Sequence, residues 1–519
     1  MFAMPLPPAA VDTAPVAAAA GPLEAQATAP LQVDSHGFHY TVSGNTLLPP
    51  VDVRAALAGG ASPEQAIGAL KQAYARKGWF LVAVLARVQG QAVQVDVVQG
   101  RLAHVEGPPA LTAYFSGLLG RDSVRNSDVV RLGLLAQAYA ATNGEQPQVR
   151  FVPAAEKGGS TLTIDTVPLP DSRTASGSLT VGNLGNRYAG HDLAQLQGQL
   201  QHDGFTLQAT HSRALTGIDE DSRGAYYAST GLTLAKVTPL GWFQLDGNST
   251  RYALGKAFAP LNPGGTVKLF GGLATQLLFA DDARRWSLSE GLHRVQDRET
   301  VFNGAYALRD QRYDVLDLGS QASWRFKGMA GRNATVNLSG GLKLGGLGGA
   351  RGFSAGTGMP VAHFHIYTAH VGAEQALAGG YSVQFDASAQ ATPDTLPSYE
   401  QWVLGGLNTL GAYLPGTLVG DRGYQGRVAL QAPTWQWGAL RLRPNVFVEH
   451  GAARYHYTPP GSPVWQALDD AGASLSLELP NLGAHALVAY AKPLDARHVN
   501  AETRSRQRAH AFLYLQWDL

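Results

Sequence analysis

The sequence predicts an α+β region of two repeated β-α-α-β-β units followed by an all-β, 16-stranded antiparallel transmembrane barrel, and three observations carry that prediction. Before about residue 170 the hydrophobic period switches between helix and strand within short distances, whereas after Pro170 it stays at two to the end of the chain. The alternating segments recur about every 20 residues and run roughly 10 residues each, the length that crosses a bilayer when tilted. Their polar faces hold Ser, Thr, Asn, Gln and Gly, suited to a wet enclosed lumen, where a soluble sheet would show Lys and Glu.

Composition narrows the class further. The 519 residues carry 40 Lys and Arg against 39 Asp and Glu, a formal net charge of +1. Such a balance lacks the basic footprint of a nucleic-acid binder, so DNA and RNA are not expected as partners. No stretch approaches the ~20 consecutive apolar residues of a spanning helix, which excludes a helical membrane protein. The absence of cysteine permits an oxidising compartment without requiring one. Met1 to Pro30 is rich in Ala and Pro, and the first Lys or Arg is Arg54, so residues 1–35 are expected to be a leader or linker. Because a basic n-region and an apolar h-region are missing there, a removed signal or a misplaced start is expected.

The first unit, 36–107, opens with a strand at Phe38 to Val42. Ser62-Pro63-Glu64-Gln65 has the form of a capping box with proline at the first helical position. Ile67, Leu70, Ala73 and Tyr74 follow at helical spacing, and Gly78 is placed to end that helix in the left-handed region. Strands at Leu81 to Val88 and Ala92 to Val98 complete the unit. A second, less regular copy begins at Arg101, and the domain it forms is set at 108–170. Its helix runs through Val129, Leu132, Leu135, Ala136 and Tyr139, with strands at Val149 to Val152 and Ser160 to Val167.

The barrel is expected over 171–519. Tyr381, Val383, Phe385, Ala387 and Ala389 alternate with Ser382, Gln384, Asp386, Ser388 and Gln390, and Ala473, Leu475, Leu477 and Leu479 alternate with Ser474, Ser476 and Glu478. Long connections such as 394–420 alternate with tight ones such as 327–332, the asymmetry of external loops and periplasmic turns. The last strand is expected over Ala509 to Leu519, with Leu513, Leu515, Trp517 and Leu519 on the lipid side as a barrel-assembly terminus.

Three groups of motifs carry a family resemblance. Val42-Ser43-Gly44-Asn45-Thr46-Leu47, Tyr74-Ala75-Arg76-Lys77-Gly78-Trp79 and Val98-Gln99-Gly100-Arg101-Leu102 resemble a POTRA domain. Asn183-Leu184-Gly185-Asn186-Arg187-Tyr188-Ala189-Gly190 is similar to a first barrel hairpin. Leu404-Gly405-Gly406 with Gly420-Asp421-Arg422-Gly423-Tyr424 resembles the frame of a large sixth loop, spanning 393–420, and Phe447-Val448-Glu449-His450-Gly451 resembles a Phe-x-Asp-x-Gly strand motif. Together they resemble the two-partner-secretion outer-membrane transporters, the hemolysin secretion/activation family. Counting strands by alternation puts the loop between the eleventh and twelfth and the Phe-x-Glu-x-Gly on the thirteenth, as the resemblance requires.

The resemblance implies an outer-membrane conduit, with POTRA domains in the periplasm, that recognises an unfolded exoprotein and threads it outward. It implies no catalytic residue, cofactor or metal, insertion by the barrel-assembly machinery into outer-membrane lipid, and a monomer. Departures from the family pattern are equally specific. The loop tip reads Leu410-Gly411-Ala412-Tyr413, so Gly411 stands where the family has an arginine that pairs with the strand-motif Asp, and that Asp is Glu449 here. A lumen carboxylate without its arginine requires another cation or hydration. Arg441 and Arg443, on the same strand parity as Glu449, and Arg422 in the loop frame are the candidate cations.

Other signals weigh less. His363, His365 and His370 are expected to be ordinary residues of a polar barrel face, since no Cys or carboxylate cluster completes a metal-ligand set. Asp281-Asp282 reads as a solvated turn, and the glycines at 345, 346, 348 and 349 lack the strand-to-helix setting of a phosphate loop. The competing functions are a barrel-assembly insertase, which would usually carry more POTRA units, and a general porin, which has no use for any.

Overall fold

The computed structural model describes residues 29–122, 124–156, 158–170, 172–216, 224–407, 409–458 and 464–519. The leader expected at 1–28 lies outside them. One compact unit closes at Ser172 and a second opens at Arg173.

In the first unit, β1 (Leu31–Ser35), β2 (Phe38–Ser43), α1 (Pro50–Ala58), α2 (Pro63–Arg76), β3 (Val82–Gln89) and β4 (Ala92–Gln99) form a sheet of order β1-β2-β4-β3 backed by two helices. The α2 start follows from its sequence: Ser62 Oγ accepts from the Gln65 amide at 3.3 Å, while Gln65 Oε1 accepts from the Ala61 amide at 3.1 Å. A cap of this kind contributes about 1 kcal/mol. Gly78 takes φ +84° and ends the helix. Alternation in β4 turns Val93, Val95 and Val97 onto Leu57, Ile67, Leu70 and Tyr74, where all are buried. Leu70→Ala at this core would cost about 2–5 kcal/mol.

The second sheet, of order β5-β7-β6, is built from β5 (Arg101–Glu106), β6 (Glu145–Pro153) and β7 (Gly159–Pro168), with α3 (Pro109–Phe115) and α4 (Asn126–Ala141) between the first two. Two expected boundaries are corrected. Strand β1 falls inside the expected leader 1–35; its Leu31 and Val33 alternate for only five residues directly after the Ala/Pro run, too briefly to register as a period. Strand β5 falls inside the expected first domain 36–107, yet it pairs in parallel with β7. A parallel pair needs a long crossover, and α3 with α4 supplies it, so β5 belongs to the second sheet.

The second compact unit is a closed antiparallel barrel of 16 strands, counting Arg422–Gln431 and Trp435–Trp437 as two pieces of the twelfth. Strand-motif residues illustrate why it closes around a lumen. Val446 and Val448 are each 52% exposed, on the lipid side, while Phe447 and Glu449 are 4% and 3% exposed on the other. Neighbouring strands share long registers, such as the 13 pairs from Arg441↔Glu478 to Ala453↔Gln466. The sixteenth strand (Phe512–Asp518) closes on the first (Ala175–Gly182) through five pairs, Tyr514↔Gly182 to Asp518↔Ser178. Leu515, Trp517 and Leu519 are exposed on the outer face, and the Leu519 amide reaches the Gly177 carbonyl at 2.8 Å. The last strand is shorter than expected, because the Ala509 amide bonds to the Ala412 carbonyl and pairing with the fifteenth strand begins only at Phe512.

Candidate functional site: the loop seat in the barrel lumen

The connection between the eleventh strand (Ser382–Ala391) and the twelfth folds back inside the barrel. Its root is stitched by Asp421, which is fully buried: Oδ1 accepts from the Leu396 amide at 2.9 Å and Oδ2 from the His456 amide at 2.7 Å. Arg422 donates through Nε to the Thr392 carbonyl at 2.5 Å, and its Nη2 lies 2.9 Å from His456 Nδ1. A Cβ at Gly423 would stand 1.9 Å from the Trp402 ring, so glycine lets the short hairpin of Trp402–Leu404 and Leu418–Gly420 lie against the wall. Gly405, at φ +110°, turns the chain where any side chain would meet the Leu414 carbonyl.

Beyond that hairpin the tip, Leu410 to Tyr413, forms a turn closed by the Tyr413 amide on the Leu410 carbonyl at 3.0 Å. Leu410, Ala412 and Tyr413 are buried against Phe447, Leu468 and Ala491. Two wall carboxylates take the tip's main chain. The Gly411 amide donates to Glu449 Oε2 at 2.7 Å, and the Ala412 amide donates to Asp470 Oδ2 at 2.9 Å. Gly451 and Gly472 leave room for this: a Cβ at 451 would meet Leu404 at 2.9 Å, and one at 472 would meet Phe447 at 2.6 Å.

The cation of this seat is Arg427. Its Nη1 lies 2.7 Å from Glu449 Oε1, and its guanidinium carbon stands 4.1 Å from the centre of the Phe447 ring. Arg427, Glu449 and Asp470 sit directly opposite one another on the twelfth, thirteenth and fourteenth strands. None of the three expected cations fills that role. Arg441 and Arg443 are exposed and pair across from Glu478 and Ser476. They lie eight and six residues along the strand from Glu449, roughly 20 Å or more at ~3.3 Å per residue. Arg422 is engaged at the loop root. Inward parity on the twelfth strand, where Gly423, Gln425 and Arg427 alternate with exposed Tyr424 and Val428, is the sequence signal that marks Arg427.

A second attachment holds the descending limb. The Glu400 side chain, 1% exposed, lies 3.0 Å from Lys343 Nζ on the ninth strand and 3.9 Å from His293 Nε2 on the seventh. His293 Nδ1 in turn lies 2.7 Å from Asp317. Burial pushes the Glu400 carboxyl up, but His293 and Lys343 outweigh it and hold the group below its ordinary pKa. Burial, with the nearby Asp470, pushes the Tyr413 hydroxyl up. After the tip, the Leu414 amide donates to the Gln507 carbonyl at 2.8 Å, the Ala509 amide to the Ala412 carbonyl at 2.9 Å, and Asn186 Nδ2 to the Pro415 carbonyl at 2.6 Å. Of the three histidines, His365 contacts Asp394 and His370 contacts Ser388, and among the described residues no group of three or more His, Cys, Asp or Glu is placed to hold a metal.

A 16-stranded barrel behind two α+β units, with a long loop seated on a Phe-x-Glu-x-Gly strand, sets the frame for comparison with known proteins. Residues 158–479 match the family model of the haemolysin secretion/activation proteins ShlB/FhaC/HecB. The chain belongs to that family. It is therefore a two-partner-secretion transporter of the bacterial outer membrane, acting with a secreted exoprotein, and its N-terminal POTRA units face the periplasm. The heme/hemopexin transporter protein HuxB of Haemophilus influenzae is 21% identical over 439 residues, 80% of this chain and 74% of the relative. CdiB from Escherichia coli shares the fold at a TM-score of 0.75 and 16% identity, over 97% of this chain and 92% of that one. CdiB from Acinetobacter baumannii does so at 0.70 and 14%, over 99% and 94%.

Proposed function

We propose that export in this transporter is gated by the sixth loop, with the POTRA units gathering the extended exoprotein and the lumen conducting it once the tip leaves its seat. The observation that carries this reading is the pair of main-chain bonds from Gly411 and Ala412 to Glu449 and Asp470. The bond to Glu449, which is paired with Arg427, contributes about 1.5–3 kcal/mol and the bond to Asp470 about 0.5–1.5 kcal/mol. These bonds act on top of the burial of Leu410, Ala412 and Tyr413, so release of the tip breaks a local seat and leaves the strand pairing of the wall intact.

Capture is assigned to β3, an edge of the first sheet, by strand addition. It runs eight residues without Pro or Gly, and Leu85 and Val88 are exposed. The β6 edge carries Pro147 and Pro153, which donate no backbone bond. No nucleotide or cofactor enters the cycle, so folding of the exoprotein outside the cell supplies the driving force. The transporter works as a monomer, inserted into outer-membrane lipid by the barrel-assembly machinery. Deleting the chain and examining the medium tests the transport reading: an exoprotein should vanish from the medium and accumulate in the periplasm. Val88→Pro, at an exposed position of β3, tests capture, with export expected to fall while barrel assembly persists.

A further inference from the structure

We propose that Arg427 is the positioning residue of the loop seat: a cation built into the wall that orients Glu449 and so holds a loop tip bearing no charge of its own. This rests on the gating reading only for its link to export.

Three observations converge on it. Glu449 spans two partners, with Oε1 on Arg427 at 2.7 Å and Oε2 on the Gly411 amide at 2.7 Å, so the guanidinium fixes the rotamer in which the second oxygen meets the tip. The guanidinium is itself fixed by the Phe447 ring at 4.1 Å and by a contact of Nη1 with the Leu407 carbonyl at 3.4 Å. Arg427 therefore touches the wall motif and the loop together. Finally, a Cβ at Gly411 would lie 3.3 Å from Glu449 Oε2 and 3.5 Å from Phe447 Cε2. A side chain at 411 would thus enter the same carboxylate site from the loop side. One cation satisfies that carboxylate, and in this chain it travels with the wall when the tip departs. Glu449 stays paired in the released state, which spares the isolated buried charge that a loop-borne cation would leave behind.

The full chain contains no cysteine, so Ala412→Cys, at a fully buried position, reports the tip through labelling by a bulky maleimide in intact cells. Heat-modifiable gel mobility shows whether each barrel has assembled. In that background Arg427→Gln should raise the labelling rate at least tenfold, and Arg427→Lys, which keeps the charge but not the planar fork, should raise it less. Adding Gly411→Arg to Arg427→Gln should return protection, while Arg443→Gln should leave labelling at the parent rate. An assembled Arg427→Gln barrel whose tip stays protected overturns the proposal, as does a double variant as open as the single. Should Arg427→Gln fail to assemble, rescue of assembly by Gly411→Arg supports the assignment, and lack of rescue overturns it. Export is measured on the same strains. A tip that opens with no change in export would leave Arg427 in its role and sink the gate instead.

Discussion

The loop's two attachments are built with opposite polarity. At Glu400 the loop brings a charged side chain and the wall answers with Lys343 and His293. At the tip the wall brings both carboxylates and their cation, and the loop answers with main-chain groups alone, among them the amides of Gly411 and Ala412. Withdrawing Glu400 would strand a charge on each side, whereas withdrawing the tip leaves Arg427 and Glu449 paired. The limb is thus the firmer hold and the tip the one suited to repeated release.

Substitutions can break or sharpen that contrast. The largest effect is expected from Glu449→Ala, which leaves Arg427 half-buried without its partner and frees the Gly411 amide. Breaking a buried pair this way costs about 3–5 kcal/mol, and the labelling rate of Ala412→Cys at the tip should rise more than tenfold. Glu400→Ala should come next, destabilising the limb by a similar mechanism with more hydration around Lys343; noisier, larger channel currents in planar bilayers would register it. Gly423→Ala forces the Trp402 ring to move, a cost of about 1–3 kcal/mol, visible as a lower temperature of heat-modifiability. Asn183→Ala should lower that temperature by a similar amount, since it removes two bonds worth about 1 kcal/mol each. Arg441→Gln and Arg443→Gln are expected to change stability by no more than about 0.5 kcal/mol and export not at all, because both are exposed far from the seat. A strong export defect in either would return the lumen cation to the thirteenth strand.

Much of this architecture can be read from the chain because a membrane barrel writes its geometry as a period of two. The placement of the loop between strands eleven and twelve, and of Phe447 and Glu449 on the thirteenth, came from counting alternations. The compensating cation did not, and the reason is physical. Arg427 meets Glu449 through register across two strands, while Arg441 and Arg443 share only parity along one. Parity tells which face a residue occupies and is silent on its height. Asp470 escaped for the same reason, being fixed only when Glu449 and Asp470 are seen to be opposite. Glu400, Lys343 and His293 come from three separate elements and have no linear signature. Strand β1 was hidden by brevity, and β5 by a chain that passes directly from β4 into the second sheet at Gly100.

The closure between the first and last strands is a short join, at five residue pairs against 13 between the thirteenth and fourteenth strands. Asn183 lengthens it with main chain and side chain together: its amide donates to the Leu513 carbonyl at 3.1 Å, and its side chain donates to the Ala511 carbonyl and accepts from the Leu513 amide, both at 2.7 Å. Just beyond, Ala412, Leu414 and Pro415 bond to Ala509, Gln507 and Asn186, on the two stretches that flank this join. Any pull on the loop is therefore delivered as tension at a place where the circumference is lightly fastened. A passenger tugging the tip outward would slacken the girth of the ring at the same moment that it clears the bore.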